Sequence, residues 1–189
     1  MKEKFIELCQ RGKLNKAKAL LKKYPNINIS YNDECAFRHA CYNKQLDVAK
    51  WLLNVNPDIH ISVFNDAFQQ SCRMGHLDVV EWLISVKPDI DISFNNDLVF
   101  RNACYDGYLD LAKLLIRMKP DIDISVYDNH LFKDACIEGY FNFKCLEVAK
   151  WLQSLKPYLY VIEYDKNGKY ISYRIREKEE EIIPNLLVV

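Results

Sequence analysis

Four stretches of this chain are near copies of one another. They read DVAKWLLNVNPDIHIS from Asp47, DVVEWLISVKPDIDIS from Asp78, DLAKLLIRMKPDIDIS from Asp110 and, more divergent, NKAKALLKKYPNINIS from Asn15. They close on Ser30, Ser62, Ser93 and Ser125, so the steps are 32, 31 and 32 residues. A fixed period of this length marks a stack of supersecondary units rather than a globule around one central active site. One unit cannot bury its apolar face alone. Its neighbours bury it, and the product is a solenoid with long solvent-facing surfaces. That geometry favours binding over catalysis.

Each unit reads as helix, short loop, helix and extended finger. In the first helix of the second unit, Phe37, Ala40 and Cys41 fall at i, i+3 and i+4, on one face. Leu46, Ala49, Leu52 and Leu53 repeat that pattern in the second helix. Pro25, Pro57, Pro88, Pro120 and Pro157 end the second helices, because proline cannot continue a helix and biases its predecessor towards extended angles. The Asp-Ile-x-Ile-Ser that follows alternates and is β-branched, which predicts a short extended segment with its isoleucines inward. Asn32, Asn65, Asn95, Asn96, Asp128 and Asn129 supply turn chemistry at the finger tips. Gly12, Gly75, Gly107 and Gly139 are assigned to the turn between the helices. Trp51, Trp82 and Trp151 share one repeat position, which holds Leu114 in the fourth unit and Ala19 in the first. They are expected as core wedges, a ligand slot being the alternative.

The pattern changes after Pro157. Two β-rich runs, Leu159 to Tyr164 and Lys169 to Ile175, flank Asp165-Lys166-Asn167-Gly168, a strong hairpin turn. An isolated hairpin is marginal in water, so this one is expected to pack on the last repeat and close it. Beyond it lie Glu177, Glu179, Glu180 and Glu181, then an apolar run from Ile182 to Val189. The fifth unit carries an insertion, placed at Phe141-Asn142-Phe143-Lys144-Cys145, whose phenylalanines form either a contact knob or part of the cap.

In detail the units resemble ankyrin repeats. Ala36-Phe37-Arg38-His39-Ala40-Cys41 precedes Leu46-Asp47-Val48-Ala49-Lys50-Trp51-Leu52-Leu53, as the family's T-P-L-H-x-A-A precedes G-H-L-E-V-V-K-L-L-L. Phe68 to Cys72 before Gly75-His76-Leu77, Phe100 to Cys104 before Gly107-Tyr108-Leu109, and Phe132 to Cys136 before Gly139-Tyr140 keep the register. Phe5 to Cys9 and Gly12 fit the same frame. The chain departs from the family where Arg38, Gln69, Arg101 and Lys133 replace the histidine of TPLH, so the capping must differ. A KPDIDIS phrase also replaces the usual glycine turn. In both respects the chain is similar to ankyrin proteins of giant, mimivirus-type DNA viruses. The implied fold is mainly α. It is an ankyrin-repeat solenoid of about five helix-turn-helix units over residues 1–157, with units at about 1–30, 31–62, 63–93, 94–125 and 126–157. Residues 158–189 form a hairpin and tail that act as its cap.

Composition removes several classes of function. Half the residues are hydrophobic and 28% are charged, which fits a soluble fold and not disorder. Lys plus Arg equals Asp plus Glu, 26 each, so the broad positive field of a nucleic-acid binder is missing. The charge is uneven. Residues 1–25 hold eight Lys or Arg against Glu3 and Glu7. That suits a soluble terminal repeat, with an acidic-partner site as the alternative. No run approaches the roughly 18 apolar residues of a membrane span, and charges interrupt the first residues where a signal peptide would lie. An intracellular, cytoplasmic protein is expected, in the host cytoplasm if viral.

Cys9, Cys41, Cys72, Cys104 and Cys136 step by 32, 31, 32 and 32. They stand where the family usually has Ala, and free Cys packs as a small hydrophobe. Stacked helices lie roughly 8–10 Å apart, while a disulfide needs Cα atoms within about 7 Å. The ladder therefore reads as packing in a reducing compartment. Cys35 and Cys145 lie outside it and have no C-x-x-C partner for zinc. His39 and Cys41 are two apart on a helix and do not face each other. No G-x-x-x-x-G-K, G-x-S-x-G or H-E-x-x-H occurs.

The reading is therefore a non-enzymatic scaffold for an unidentified protein partner. No cofactor, metal, catalytic residue, nucleic acid, membrane or small-molecule substrate is expected, and the chain is expected to be a monomer. The resemblance implies that partners sit against the fingers and the exposed side of the first helices. Carried over position by position, the contact residues are Tyr31, Asn32, Phe64, Asn65, Phe94, Asn95, Tyr127 and Asp128 at the fingers. At the helix ends they are Tyr42, Arg73, Met74, Tyr105 and Asp106, with Asn43, Ile137 and Glu138 beside them. The finger aromatics recur once per repeat, and packing of finger on finger is the alternative. A second reading is an adaptor for a host ubiquitin ligase. Viral ankyrin proteins often end in an F-box-like segment, whose start Ile183-Pro184-Asn185-Leu186-Leu187 resembles, although the chain stops at Val189.

Overall fold

The computed structural model describes residues 1–139 and 142–176, without the side chains of Phe94, Asn96, Val126, Tyr127 and Asp128. Among the described residues the chain forms ten helices and one two-stranded antiparallel sheet. The helices follow in pairs. These are α1 (Lys2–Gln10) and α2 (Leu14–Lys23), α3 (Tyr31–Tyr42) and α4 (Leu46–Val55), and α5 (Ile61–Arg73) and α6 (Leu77–Val86). Then come α7 (Phe94–Tyr105) and α8 (Leu109–Met118), and α9 (Val126–Gly139) and α10 (Phe143–Leu155). The sheet pairs β1 (Tyr160–Tyr164) with β2 (Tyr170–Ile175). This is the mainly helical repeat fold with a C-terminal hairpin that the sequence predicts. It divides into two compact units, Met1–Val99 and the residues from Phe100 onward.

In the first unit α1, α3 and α5 lie side by side, and each packs on its own second helix. Close approach requires small residues, and Cys9, Ala40, Cys41, Ala67 and Cys72 are all buried at these contacts. Phe5, Phe37 and Phe68 recur one turn before them and are also buried. The indole of Trp51 lies 6.1 Å from Phe5, and that of Trp82 lies 6.1 Å from Phe37. Each tryptophan thus covers the phenylalanine of the preceding first helix. Its other side stays open, for Trp51 and Trp82 are half-buried. The expectation of wholly internal wedges is corrected to that extent.

One geometry serves the turns inside the pairs. The amide of Gly12 donates to Cys9 O at 3.1 Å, that of Lys13 to Leu8 O at 2.8 Å, and Gly12 has φ +67°. The same two bonds recur around Gly75 (φ +67°) and Gly107 (φ +75°), which is how a left-handed residue closes a helix. In the second repeat that residue is Lys44, at φ +59°. In the fifth, Gly139 instead belongs to α9. A Cβ there would come within 3.0 Å of the Leu146 backbone, so this glycine serves close helix approach. After each second helix the residue before proline is extended as expected, from Asn56 (φ −131°) to Lys119 (φ −134°).

The β-like fingers are not formed. Ile59, Ile90, Ile122 and Ile124 are buried, as the alternation predicts, but no strand follows them. The chain turns straight into the next first helix. Asn32, Asp33 and Glu34 are left-handed (φ +52°, +50°, +56°), and Asn95, Asp97 and Asn129 have positive φ at the same stage of later repeats. Asn and Asp tolerate that region better than most residues. Arg38 ties the first such turn down. Its guanidinium donates to Asn32 O at 2.8 Å and Asp33 O at 2.9 Å, and pairs with Asp66 Oδ2 at 3.1 Å. This is the altered capping that the missing histidine foreshadows.

In the second unit Phe100, Ala103, Cys104, Phe132, Ala135 and Cys136 continue the buried series. Trp151 covers Phe100 at 6.3 Å, edge to face. Among the described residues no further repeat covers Phe132. Instead Tyr160 of the hairpin stacks on it, with ring centroids 4.2 Å apart and planes 7° apart, and Tyr173 meets it edge-on at 5.8 Å. The Tyr160 hydroxyl faces Asn129 Oδ1 at 2.8 Å and Ile124 O at 3.3 Å. The turn between the strands places Gly168 at φ +77°, and the Asp165 carboxylate accepts from the amides of Asn167 and Lys169. The insertion lengthens α10 by Phe143, Lys144 and Cys145 ahead of Leu146, with Asn142 capping the Lys144 amide at 3.0 Å. Phe141, and everything read from residues 177–189, lies outside the described residues.

Candidate functional site

The predicted contact residues divide by burial. Phe64 is 0% exposed and meets the Phe37 ring edge-on at 5.4 Å, so it is core and not a contact. Its position on α5, one turn into a helix rather than on a finger tip, turns it inward. Asn65 is half-buried, and its Oδ1 accepts from the Asp91 amide at 3.1 Å, a structural brace. Tyr42 is half-buried, and its carbonyl accepts from His76 Nε2 at 3.0 Å, which puts the proton on that nitrogen. Tyr31 is exposed, with the Lys2 ammonium 3.8 Å from its ring centre. Asn32 and Asn95 are exposed on left-handed backbone at the start of α3 and α7. The side chains of Phe94, Tyr127 and Asp128 lie outside the described residues.

The ends of the first helices are different. Directly after the buried cysteine, each chain segment leaves the core. Arg73 and Met74 (38% exposed) follow Cys72, Tyr105 (50%) follows Cys104, and Ile137 (51%) follows Cys136. In the second unit this position gathers carboxylates. Glu138, then burial, Asp134 and Asp106 push the Tyr105 phenol above its ordinary value. Burial raises the Asp106 carboxyl. The Cys145 thiol donates to Tyr105 O at 3.3 Å and is itself raised, by burial first and then by Glu138 and Asp106. Phe143, at 70% exposure, opens the same α10 turn. The surface is aromatic, aliphatic and acidic.

Two features escape sequence reading. Cys35 faces His39, one helical turn on, with Sγ 3.7 Å from Nδ1. The i, i+4 spacing was there to find. No third polar group orients the ring among the described residues, and the thiol is buried, so the pair lacks the arrangement of a nucleophile and base. Also among the described residues, no His, Cys, Asp or Glu cluster could hold a metal ion. The second feature is a cavity of about 630 Å³ in the first unit, open to solvent, between α2 and α4. Lys18, Leu21, Lys22, Pro25, Ile27, Ile29, Trp51 and Val55 line it. Periodicity assigns most of these side chains to a core, and only their positions in space show the gap.

Buried small residues on paired helices, left-handed turns between them and exposed residues at the helix ends define a helical-repeat protein. Residues 37–84, from Phe37 in α3 to Ile84 in α6, match the family model for ankyrin repeats (many copies). No curated protein matches the chain. Ankyrin repeats generally mediate protein–protein interaction.

Proposed function

We propose that this chain is a non-enzymatic scaffold that holds a partner protein on the ends of its first helices. The observation that carries this reading is the recurrence of an exposed apolar side chain directly after a buried cysteine, Tyr105 after Cys104 and Ile137 after Cys136. Placing apolar side chains where they face water gains nothing for the fold, whereas aromatic side chains are enriched where interfaces form. Asp106, Asp134 and Glu138 around Tyr105 favour basic groups on the partner. Seven free cysteines, all buried, support a reducing cytoplasm as the setting. The viral resemblance of the repeat phrases would make that a host cytoplasm. The ligase-adaptor reading rests on residues 183–187 alone and is not favoured by the described surface.

The test is photo-crosslinking from defined positions. A benzophenone amino acid is placed at 105 or 137, and at the exposed Lys113 position as control. A shared adduct from the first two sites and not from 113 supports the reading. Equal adducts from all three, or adducts from 113 alone, remove it.

A further inference from the structure

We infer that the cavity between α2 and α4 is a second docking surface, and that its occupant is a segment of a partner protein in which aliphatic side chains are flanked by carboxylates. The floor is apolar: Leu21, Ile29 and Trp51 face an opening large enough for several aliphatic side chains. Charge selects among apolar occupants. Lys18 and Lys22 stand on the rim, one turn apart on α2, and no acidic residue lines the cavity. The Lys18 ammonium lies 6.0 Å from the Trp51 ring centre, the only carbon face it is offered among the described residues. Neither lysine forms an ion pair among the described residues. The two carboxylates of residues 1–25 are committed elsewhere, Glu3 to the N-terminal ammonium and Glu7 to Arg11. The basic bias of residues 1–25 thus has a geometry: unpaired cations beside open hydrocarbon. A carboxylate arriving on an aliphatic segment satisfies both at once. A neutral apolar segment would leave the cations in place without a partner, and a basic one would be repelled.

This surface lies on the second helices α2 and α4, and the scaffold reading rests on the ends of first helices, so its test is independent of that reading. The full chain is immobilised and a random nonapeptide display library is selected on it, in parallel with the Lys18→Glu/Lys22→Glu variant. Both lysines are exposed, and a thermal melt confirms that the variant folds. Clones that depend on the cavity are those lost in the variant and in Trp51→Ala. They should combine Leu, Ile or Val with Asp or Glu, and a synthetic copy should bind the variant roughly tenfold more weakly, about 1.4 kcal/mol. The inference is overturned if cavity-dependent clones are no more acidic than the input library. It is equally overturned if no clone depends on the cavity, or if vesicles containing phosphatidylserine bind the chain through the same lysines while the peptides do not. Should Trp51→Ala unfold, Val55→Asp replaces it as the blocking variant, since Val55 is exposed on the same wall.

Discussion

The Trp82 indole lies 6.1 Å from the Phe37 ring, with the planes tilted by 52°, although 45 residues separate them. Trp51 on Phe5 and Trp151 on Phe100 repeat the relationship. A second helix therefore reaches back to seal the first helix of the unit before it. That couples the first repeat to the second, the second to the third and the fourth to the fifth through one aromatic pair each, the nearest-neighbour energetics of a repeat array.

Trp82→Ala should destabilise the first unit by about 2–3 kcal/mol. A fully buried ring would cost roughly 3–5 kcal/mol, but one side of Trp82 already faces water. Urea unfolding followed by circular dichroism measures it. An unchanged midpoint would show that the pair contributes packing without energy.

Arg38→Ala removes two donors to main-chain carbonyls and the partner of Asp66. Three left-handed residues then lose their tie, and the expected loss is about 1–3 kcal/mol. Arg38→Lys should recover little, because an ammonium cannot fork to two carbonyls and a carboxylate in one plane. Full recovery with Lys would mean that charge, not geometry, is what Arg38 supplies.

Lys44 occupies the slot that glycine fills at positions 12, 75 and 107, with φ +59°. Lys44→Gly should stabilise the chain by about 1 kcal/mol, the cost of left-handed backbone for a residue with a Cβ. The exposed Lys44–Asp78 pair at 3.5 Å is lost but is worth little. Lys44→Ala separates the two effects: it loses the pair, keeps the strain, and should not stabilise.

Much of this arrangement can be read from the residues in order, and the exceptions have physical causes. Phenylalanine, Ala-Cys and proline recur in register, so helix pairs, helix ends and the cysteine ladder are legible. The finger is not. Asp-Ile-x-Ile-Ser alternates whether it becomes a strand or a turn with buried isoleucines, and in the first finger the turn is held by the guanidinium of Arg38 several residues on. Phe64 illustrates the same limit: its once-per-repeat position says that it is used, and its place on a helix face says where. The candidate site at Tyr105 and Ile137 follows from the frame, because each stands directly after a buried cysteine at the end of a first helix. The α2–α4 cavity does not, since periodicity cannot distinguish a filled core from an open one.

Burial pushes the Cys9 and Cys136 thiols from an ordinary 9.0 up to about 12, and raises Cys41, Cys72 and Cys104 as well. Each folded-state value lies above the unfolded one. The associated stability is therefore complete below about pH 9 and is lost as pH rises towards 12, where only the unfolded chain releases its protons. The urea midpoint should fall across that window. Cys9→Ala/Cys136→Ala should flatten the fall and change stability little at pH 7, as alanine fits the same packing position. Thiol reagent should label all five slowly at neutral pH, and fast labelling would contradict the burial.

The hairpin supplies to Phe132 what a tryptophan supplies to Phe37, and removing it should expose that ring. Deleting residues 158–189 should lower the melting temperature and make the remainder self-associate, since the stacked face of Phe132 would meet water. Graded variants separate packing from polar contact. Tyr160→Phe keeps the stack and loses the hydroxyl bond to Asn129, at a cost of about 1 kcal/mol. Tyr160→Ala loses both and should cost roughly 3–5 kcal/mol, because the ring is fully buried. Gly168→Val acts only on the turn. Open space surrounds that position, so the penalty comes from φ +77° and not from a clash. Melts with parallel light scattering rank the four. If the deletion melts like the full chain and stays monodisperse, the hairpin is no cap, and its tyrosines pack on Phe132 without holding the last repeat together.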